Sequence, residues 1–562
     1  MALDDGRSRI KSGMTNWEIE LRKFPSALTL ASIATAALAT SALAAPPKLI
    51  IAISVDQFSA DLFDEYRPTF TSGLARFAAG TAFHNGYQGH AATETCPGHS
   101  TILTGDRPAR TGVIANNWID QSIARDDKTV YCAEDERVPG SNSNKYTVSP
   151  IHLKVPTLGE RMKLMWPASR TVAVSGKDRA AVMMSGQRPD QRWYWANDHF
   201  ATDLKDRPVP AIVPRINTVV AAALAAELPP LETTPSCQAK AAPIAVGDSD
   251  ETVGSGLFHR NANDQAAFRA SPELDGDTLA LAAALVAEMK LGRGTAPDLL
   301  AISLSATDYV GHTYGTEGQE MCLNLASLDR ELGDFEAVLD RSGIDYAVVL
   351  TADHGGLDLP ERKRLAGDTA AARVDPDLSP GTVGLRIVSK LGLPGFGLVG
   401  DSPYGDMYVD ASLSPANRRK VLTAAMAAYR ANPQVEAVFS HGELGATPLP
   451  TTTPDRWTLI ERAHASFDAQ RSGDFIVLLR RDVTPIIDTS KYVATHGSAW
   501  DYDRRVPILF WRSGMSAVAS DAPIETIDIM PTLAAWLGLP VAAGAIDGNC
   551  LLGVSGVTCP PR

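Results

Sequence analysis

The chain has 562 residues, 44% of them hydrophobic, which suffices for a large core and allows one elaborated domain or three small ones. Lysine and arginine number 52 against 65 aspartates and glutamates, a net charge of −13, and no long basic run occurs; this argues against nucleic acid or an anionic membrane surface as partner. An acidic chain that takes an anionic substrate needs a local positive site, and bound metal ions can supply one.

At the N-terminus, Arg22 and Lys23 precede an apolar run over 27–44, and Ala42-Leu43-Ala44 fits a small-x-small cleavage site. Residues 1–44 therefore read as a cleaved signal peptide, with Met14 as an alternative start, and residues 45–562 as the mature, exported protein without a stable membrane anchor. The competing reading, an uncleaved anchor, meets a run that is short and weakly apolar for a span.

Lys48 opens an apolar stretch through Val55 that ends at Asp56, the pattern of a buried parallel strand with a candidate ligand at its C-terminal end. Residues 60–77 have helical spacing, broken at Pro68. In Thr93-Glu94-Thr95-Cys96-Pro97-Gly98-His99 the proline is expected near the first helical position, which puts Thr95 or Cys96 at the N-cap. There a hydroxyl faces free N–H groups and the positive end of the helix, so Thr95 is either a nucleophile or a plain cap. A second short helix is expected over 100–105.

Residues 171–175 form a short strand followed at once by Gly176-Lys177-Asp178-Arg179. From 187 to 266 the pattern weakens, prolines recur, and the segment reads as an insertion, with Trp193-Tyr194-Trp195 packed inside it. A helix follows over 277–289, capped by Asp277, then a strand at 298–305 before Asp308. An amphipathic helix covers 323–339, with Glu317 and Glu320 read as a solvated face. A strand at 346–351 ends in Asp353-His354, and 361–485 read as a second insertion, with a helix near 415–431 and strands near 434–440 and 474–480. The core resumes at His496-Gly497, with a strand at 506–511 and a helix opening near 527. Strands alternating with helices predict an α/β sheet covered on both faces.

The six cysteines are compatible with export and disulfides. Cys550 with Cys559 is the preferred pair, Cys132 with Cys237 a weaker one, and Cys96 and Cys322 are left open. No CxxC occurs, which argues against a cysteine-ligated zinc site.

Asp56, Asp308, His312, Asp353, His354 and His496 all fall where strands end or the chain re-enters the core. Asp308 and His312 stand one helical turn apart; Asp353 and His354 diverge from one strand end. Three aspartates and three histidines suit zinc better than magnesium, and six ligands divide into two three-ligand sites. A pair of ions would serve a threonine hydroxyl, a weak nucleophile until its proton is removed. His99 is expected to pack within its helix.

In order along the chain, Asp56, Thr95, Asp308-x-x-x-His312, Asp353-His354 and His496-Gly497 resemble the alkaline phosphatase superfamily, and nucleotide pyrophosphatase/phosphodiesterases share these residue types. Lys177-x-Arg179 together with Asn116 resembles the periplasmic, phosphate-irrepressible bacterial alkaline phosphatases with a threonine nucleophile. The resemblance implies a central, mostly parallel sheet between helical layers with two large insertions. It implies two Zn²⁺, one held by Asp308, His312 and His496, the other by Asp56, Asp353 and His354 and touched by Thr95. It also implies Thr95 as nucleophile and Asn116, Lys177 and Arg179 as phosphoryl-oxygen donors, acting on a broad range of phosphate monoesters. The oligomeric state is left open by the sequence, a monomer being one of the states it allows. A phosphodiesterase on the same site is the alternative. Cys96-Pro97 lacks the spacing of a sulfatase Cys-x-Pro-x-Arg motif.

Overall fold

The computed structural model describes residues 45–247 and 252–560; the signal-peptide reading of 1–44 lies outside the described residues. The elements that build the core are, in chain order, β1 (Leu49–Val55), β2 (Thr81–Tyr87), α1 (Thr95–Ile102), β3 (Thr171–Ser175), α2 (Asp178–Ser185), β4 (Gln191–Ala196), β5 (His199–Ala201), α3 (Glu273–Met289), β6 (Asp298–Leu304), α4 (Ala306–Tyr314), α5 (Gln319–Ser342), β7 (Tyr346–Thr351), β8 (Arg505–Arg512), β9 (Val518–Ser520) and α6 (Ile529–Leu537).

The strands form one mixed sheet in the order β9-β2-β8-β7-β1-β6-β3-β4-β5, with Ile524–Glu525 also pairing with β2. Its centre, β7-β1-β6-β3-β4, is parallel, and β8 joins it antiparallel to both β7 and β2. Every residue of β1 is buried, as an apolar run between two covered faces requires. Leu49, Ile51, Ile53 and Val55 face a core shared with α3 and α5, while Ile50 and Ala52 face one shared with α6. That alternation is the two-residue period of a strand serving two helical layers.

Several boundaries move. The helix expected from Asp277 starts at Glu273, with Pro272 as its cap residue. The helix expected over 323–339 runs over Gln319–Ser342, between Gly318 and a left-handed Gly343. The two short helices expected around Thr95 are one, α1, and its N-cap is Glu94; Thr95 is the first helical residue. The 187–266 segment is not wholly an insertion: Trp193, Tyr194 and Trp195 lie in β4, and β4 and β5 complete the main sheet. Alternate residues of this aromatic strand pack on opposite cores, Trp193 and Trp195 on one and Tyr194 on the other.

Residues 361–485 contain a four-stranded sheet, Leu398–Val399, Gly405–Val409, Phe475–Leu479 and Val435–Ser440 in that order, with a core of its own around Met407, Tyr429 and Phe475. Helices Pro380–Leu391 and Pro415–Ala431 cover it. Glu320 is not solvated: it is buried and accepts the N–H groups of Gly254 and Gly256 at 2.9 and 2.8 Å.

The disulfides are Cys96–Cys132, Cys237–Cys322 and Cys550–Cys559. The Cys132–Cys237 pairing is therefore corrected. Cys132 follows the Asn116 segment back to α1, its N–H donating to the Asn116 carbonyl at 2.9 Å, which brings it to Cys96. Cys237 lies against α5, where Cys322 meets it.

Candidate active site

The candidate residues converge at the C-terminal ends of four neighbouring parallel strands, the place where open α/β sheets put their ligands. Asp56 follows β1. Asp308 and His312 lie on α4, just after β6. Asp353 and His354 follow β7. Lys177 and Arg179 sit at the start of α2, after β3. Thr95 begins α1, and His496 arrives from the loop before β8.

Two groups form. Asp308 Oδ1 lies 3.3 Å from His312 Nε2 and 3.4 Å from His496 Nε2. His354 Nε2 lies 3.4 Å from Asp56 Oδ1 and 3.2 Å from Asp353 Oδ2. These are the spacings between neighbouring ligand atoms around a tetrahedral ion with bonds of about 2.0–2.1 Å. Each imidazole is turned by its other nitrogen. Nδ1 of His312 faces the Ala494 carbonyl at 2.9 Å, that of His354 the Gly355 carbonyl at 2.9 Å, and that of His496 the Thr93 carbonyl at 2.8 Å. A carbonyl can only accept, so Nδ1 carries the proton and Nε2 offers its lone pair inward, as a metal ligand must. His354 Nε2 and Asp56 Oδ1 are buried and have no hydrogen-bond partner. Both groups have the donors and the orientation to hold a divalent ion, and in the Asp56, Asp353 and His354 group such an ion would also satisfy unmet polar atoms.

Lys177 bridges the groups, its ammonium meeting Asp308 Oδ2 at 2.5 Å and Asp56 Oδ2 at ion-pair contact. Burial and the nearby Asp353 push the Asp56 carboxyl well above the usual carboxylate range. Burial acts the same way on Asp308, but His312 and Lys177 outweigh it and hold that carboxyl well below the range.

Arg179 Nη2 reaches Thr95 Oγ1 at 3.4 Å, and Thr95 is fully buried. Asp178, between the two cations, accepts from the hydroxyls of Tyr131 and Tyr146, each at 2.8 Å, which anchors the turn. Asn116 Oδ1 accepts the Cys96 N–H at 2.8 Å, satisfying one of the free donors at the start of α1 and leaving the amide NH₂ to donate elsewhere. The Asn116 N–H donates to Glu94 at 2.6 Å, and burial pushes the Glu94 carboxyl up to about 7.

Three supporting residues escaped the sequence reading. Gln57 donates its N–H to Asp353 Oδ1 and its side-chain amide to Asp308 Oδ1, both at 3.2 Å. Glu94 holds Asn116. His99, expected only to pack, has Nδ1 2.9 Å from the Thr95 carbonyl and 3.1 Å from Asp353 Oδ2, and Nε2 3.1 Å from Ser303 Oγ. Position gave a signal for two of them, Gln57 beside Asp56 and Glu94 beside Thr95. His99 stands one helical turn after Thr95, which marks it as facing the same way.

The profile of the type I phosphodiesterase/nucleotide pyrophosphatase family matches residues 50–499. The chain is 52% identical over 522 residues to alkaline phosphatase PhoK of a Sphingomonas species, covering 92% of this chain and 93% of the relative. It is 48% identical over 524 residues to alkaline phosphatase PhoD of Zymomonas mobilis, covering 92% and 90%. Its fold is similar to the crystal structure of alkaline phosphatase PafA, with a TM-score of 0.78 and 25% identity over 90% of this chain and 98% of that one. The chain belongs to the type I phosphodiesterase/nucleotide pyrophosphatase family.

Proposed function

We propose that this protein is an alkaline phosphatase that hydrolyses phosphate monoesters through a phospho-threonine on Thr95. The observation that carries this reading is the placement of Thr95 Oγ1 beside Arg179 at a site flanked by two oriented Asp/His groups. Thr95 Oγ1 attacks phosphorus in line, the bond from phosphorus to the leaving alcohol oxygen breaks, and water then releases inorganic phosphate. Two zinc ions, one on Asp308, His312 and His496 and one on Asp56, Asp353, His354 and Thr95, would supply Lewis-acid stabilisation of the attacking and leaving oxygens.

The remaining work falls to side chains. Arg179, Lys177 and the Asn116 amide donate to the non-bridging oxygens, and a monoester dianion offers them one more charged oxygen than a diester. In a loose transition state, positioning and charge neutralisation account for most of the catalysis. Residues 1–44 direct export to the periplasm in this reading; among the described residues no helix is long and apolar enough to cross a membrane.

Thr95→Ala is expected to abolish turnover and Thr95→Ser to retain part of it, with a covalent phosphoenzyme trapped by acid quench only when the hydroxyl is present. Full activity in Thr95→Ala would overturn the assignment. A phosphodiesterase is the second reading, favoured by the family profile. A matched monoester and diester pair decides between them, and a diester preference would displace the first reading.

A further inference from the structure

A narrow cleft of about 50 Å³ is lined by Glu94, the residue before Thr95, and its walls come from three parts of the chain. Glu94 and Trp118 come from the core near α1, Gly497 from the loop that carries His496, and Asp401 and Tyr404 from the second insertion. The cleft therefore runs from the neighbour of Thr95 to the neighbour of His496. The insertion is fastened there at two points. The Tyr404 hydroxyl donates to the His496 carbonyl at 3.3 Å, and Asn117 Nδ2 donates to Asp401 Oδ2 at 3.3 Å. Gly497, with φ +108°, allows the first contact, because a β-carbon there would lie 2.2 Å from the Tyr404 hydroxyl oxygen.

The charge of this wall is opposite to that of the phosphoryl site. Arg179 and Lys177 serve the phosphate, whereas the described residues lining the cleft include Glu94, Asp401 and Asp406 and no lysine or arginine. Its aromatic members are Trp118, Tyr404 and Tyr408; Trp118 and Tyr408 are buried and Trp118 already carries the Arg471 guanidinium over its ring, so the half-buried Tyr404 is the ring left to attract a cation or an apolar group. An alcohol that carries its own anion meets repulsion here, and one that is neutral or bears an ammonium group does not.

We infer that the second insertion selects the leaving alcohol: its Asp401–Tyr404 segment favours monoesters of neutral or ammonium-bearing alcohols over those of carboxylate-bearing ones. This rests on the monoesterase reading above and adds to it a substrate class and the residues that set it. Asp401 is solvent-exposed, so its effect is moderate and screened by salt.

The test uses the metal-replete enzyme at low ionic strength with phosphoethanolamine, glycerol 1-phosphate and 3-phosphoglycerate, comparing ratios of kcat/KM so that intrinsic leaving-group differences cancel between variants. Asp401→Asn is expected to raise the 3-phosphoglycerate to glycerol phosphate ratio roughly three- to tenfold and to lower the phosphoethanolamine to glycerol phosphate ratio. Asp401→Lys is expected to move both ratios further the same way, and added salt to shrink both shifts. Tyr404→Ala should lose the ammonium preference and Tyr404→Phe keep it. Unchanged ratios in both Asp401 variants would overturn the inference while leaving the phosphatase standing. Failure of the wild type to turn over any of the three monoesters would instead overturn the phosphatase reading itself.

Discussion

Gln57 shows how much of the site depends on residues that carry no chemistry. It follows Asp56 directly and holds a left-handed backbone at φ +65°, a conformation that costs of order 1 kcal/mol or more for a side chain of its kind. The conformation turns its N–H toward Asp353 and its amide toward Asp308, so one residue orients a carboxylate of each group. Gly311 makes room for it, since a β-carbon at 311 would lie 1.6 Å from Gln57 Oε1. Gly311→Ala is therefore expected to displace the amide and to lower both bound metal and kcat by roughly 10–100-fold, the usual effect of losing an outer-shell partner. Metal content of the purified variant, read beside kcat, checks this; normal metal and normal kcat would show that Gln57 is not the orienting residue. Arg179 acts more directly. Arg179→Ala is expected to cost roughly 10²–10³ in monoester turnover and distinctly less on a diester, which offers one less charged oxygen. Equal losses on both substrates would show that the guanidinium does not read the extra charge.

At the scale of elements, the ends of the parallel strands were legible and the start of α1 was not. Apolar runs ending in Asp56, Asp308 and Asp353-His354 are strong signals because a buried strand tolerates a charge only where it leaves the sheet. The six residues come together in two groups, His312 one turn after Asp308 on α4 and His496 brought in by the loop before β8. The N-terminus of α1 was misplaced because proline is tolerated throughout the first turn, where N–H groups lack partners anyway. Pro97 sits third in the helix, Glu94 takes the cap position, and the Asn116 side chain satisfies a first-turn donor from 20 residues away. No local pattern announces that contact. Trp193-Tyr194-Trp195 misled for a related reason: a strand buried on both faces shows no alternation, and the prolines after it suggested an insertion. The Cys96–Cys132 bridge ties α1 to the Asn116 segment, which makes it a brace for the side chain proposed to donate a hydrogen bond to the phosphoryl group as well as for the fold. Replacing both cysteines with alanine is expected to cost roughly 2–4 kcal/mol of stability by urea unfolding. It should also lower kcat, and adding Asn116→Ala to the double variant should then cost less than it does in the wild type. Full additivity would show that the bridge stabilises the chain without positioning Asn116.

At the scale of the whole molecule, the fold buries Asp56, Asp308 and Asp353 with His354 and His496, leaves His312 half-buried, and makes Lys177 the cation that meets two of those carboxylates. Buried carboxylates that lose their partners are costly, so a molecule built this way gains stability from whatever ions fill the two groups. The linkage is quantitative: an ion at 100 times its dissociation constant adds about 2.7 kcal/mol per site. Chelator is accordingly expected to lower the melting temperature by several degrees as well as to remove activity. Zinc should restore both, whereas magnesium, which favours all-oxygen ligand sets, should restore neither at equal concentration. Differential scanning calorimetry of the dialysed protein with each ion added back measures the stability half of this without relying on turnover. The same measurement on His496→Ala separates the groups, since that variant loses a ligand of one and keeps all three of the other. A zinc-dependent rise about half that of the wild type is expected, and a rise of full size would mean that Asp308, His312 and His496 do not hold an ion.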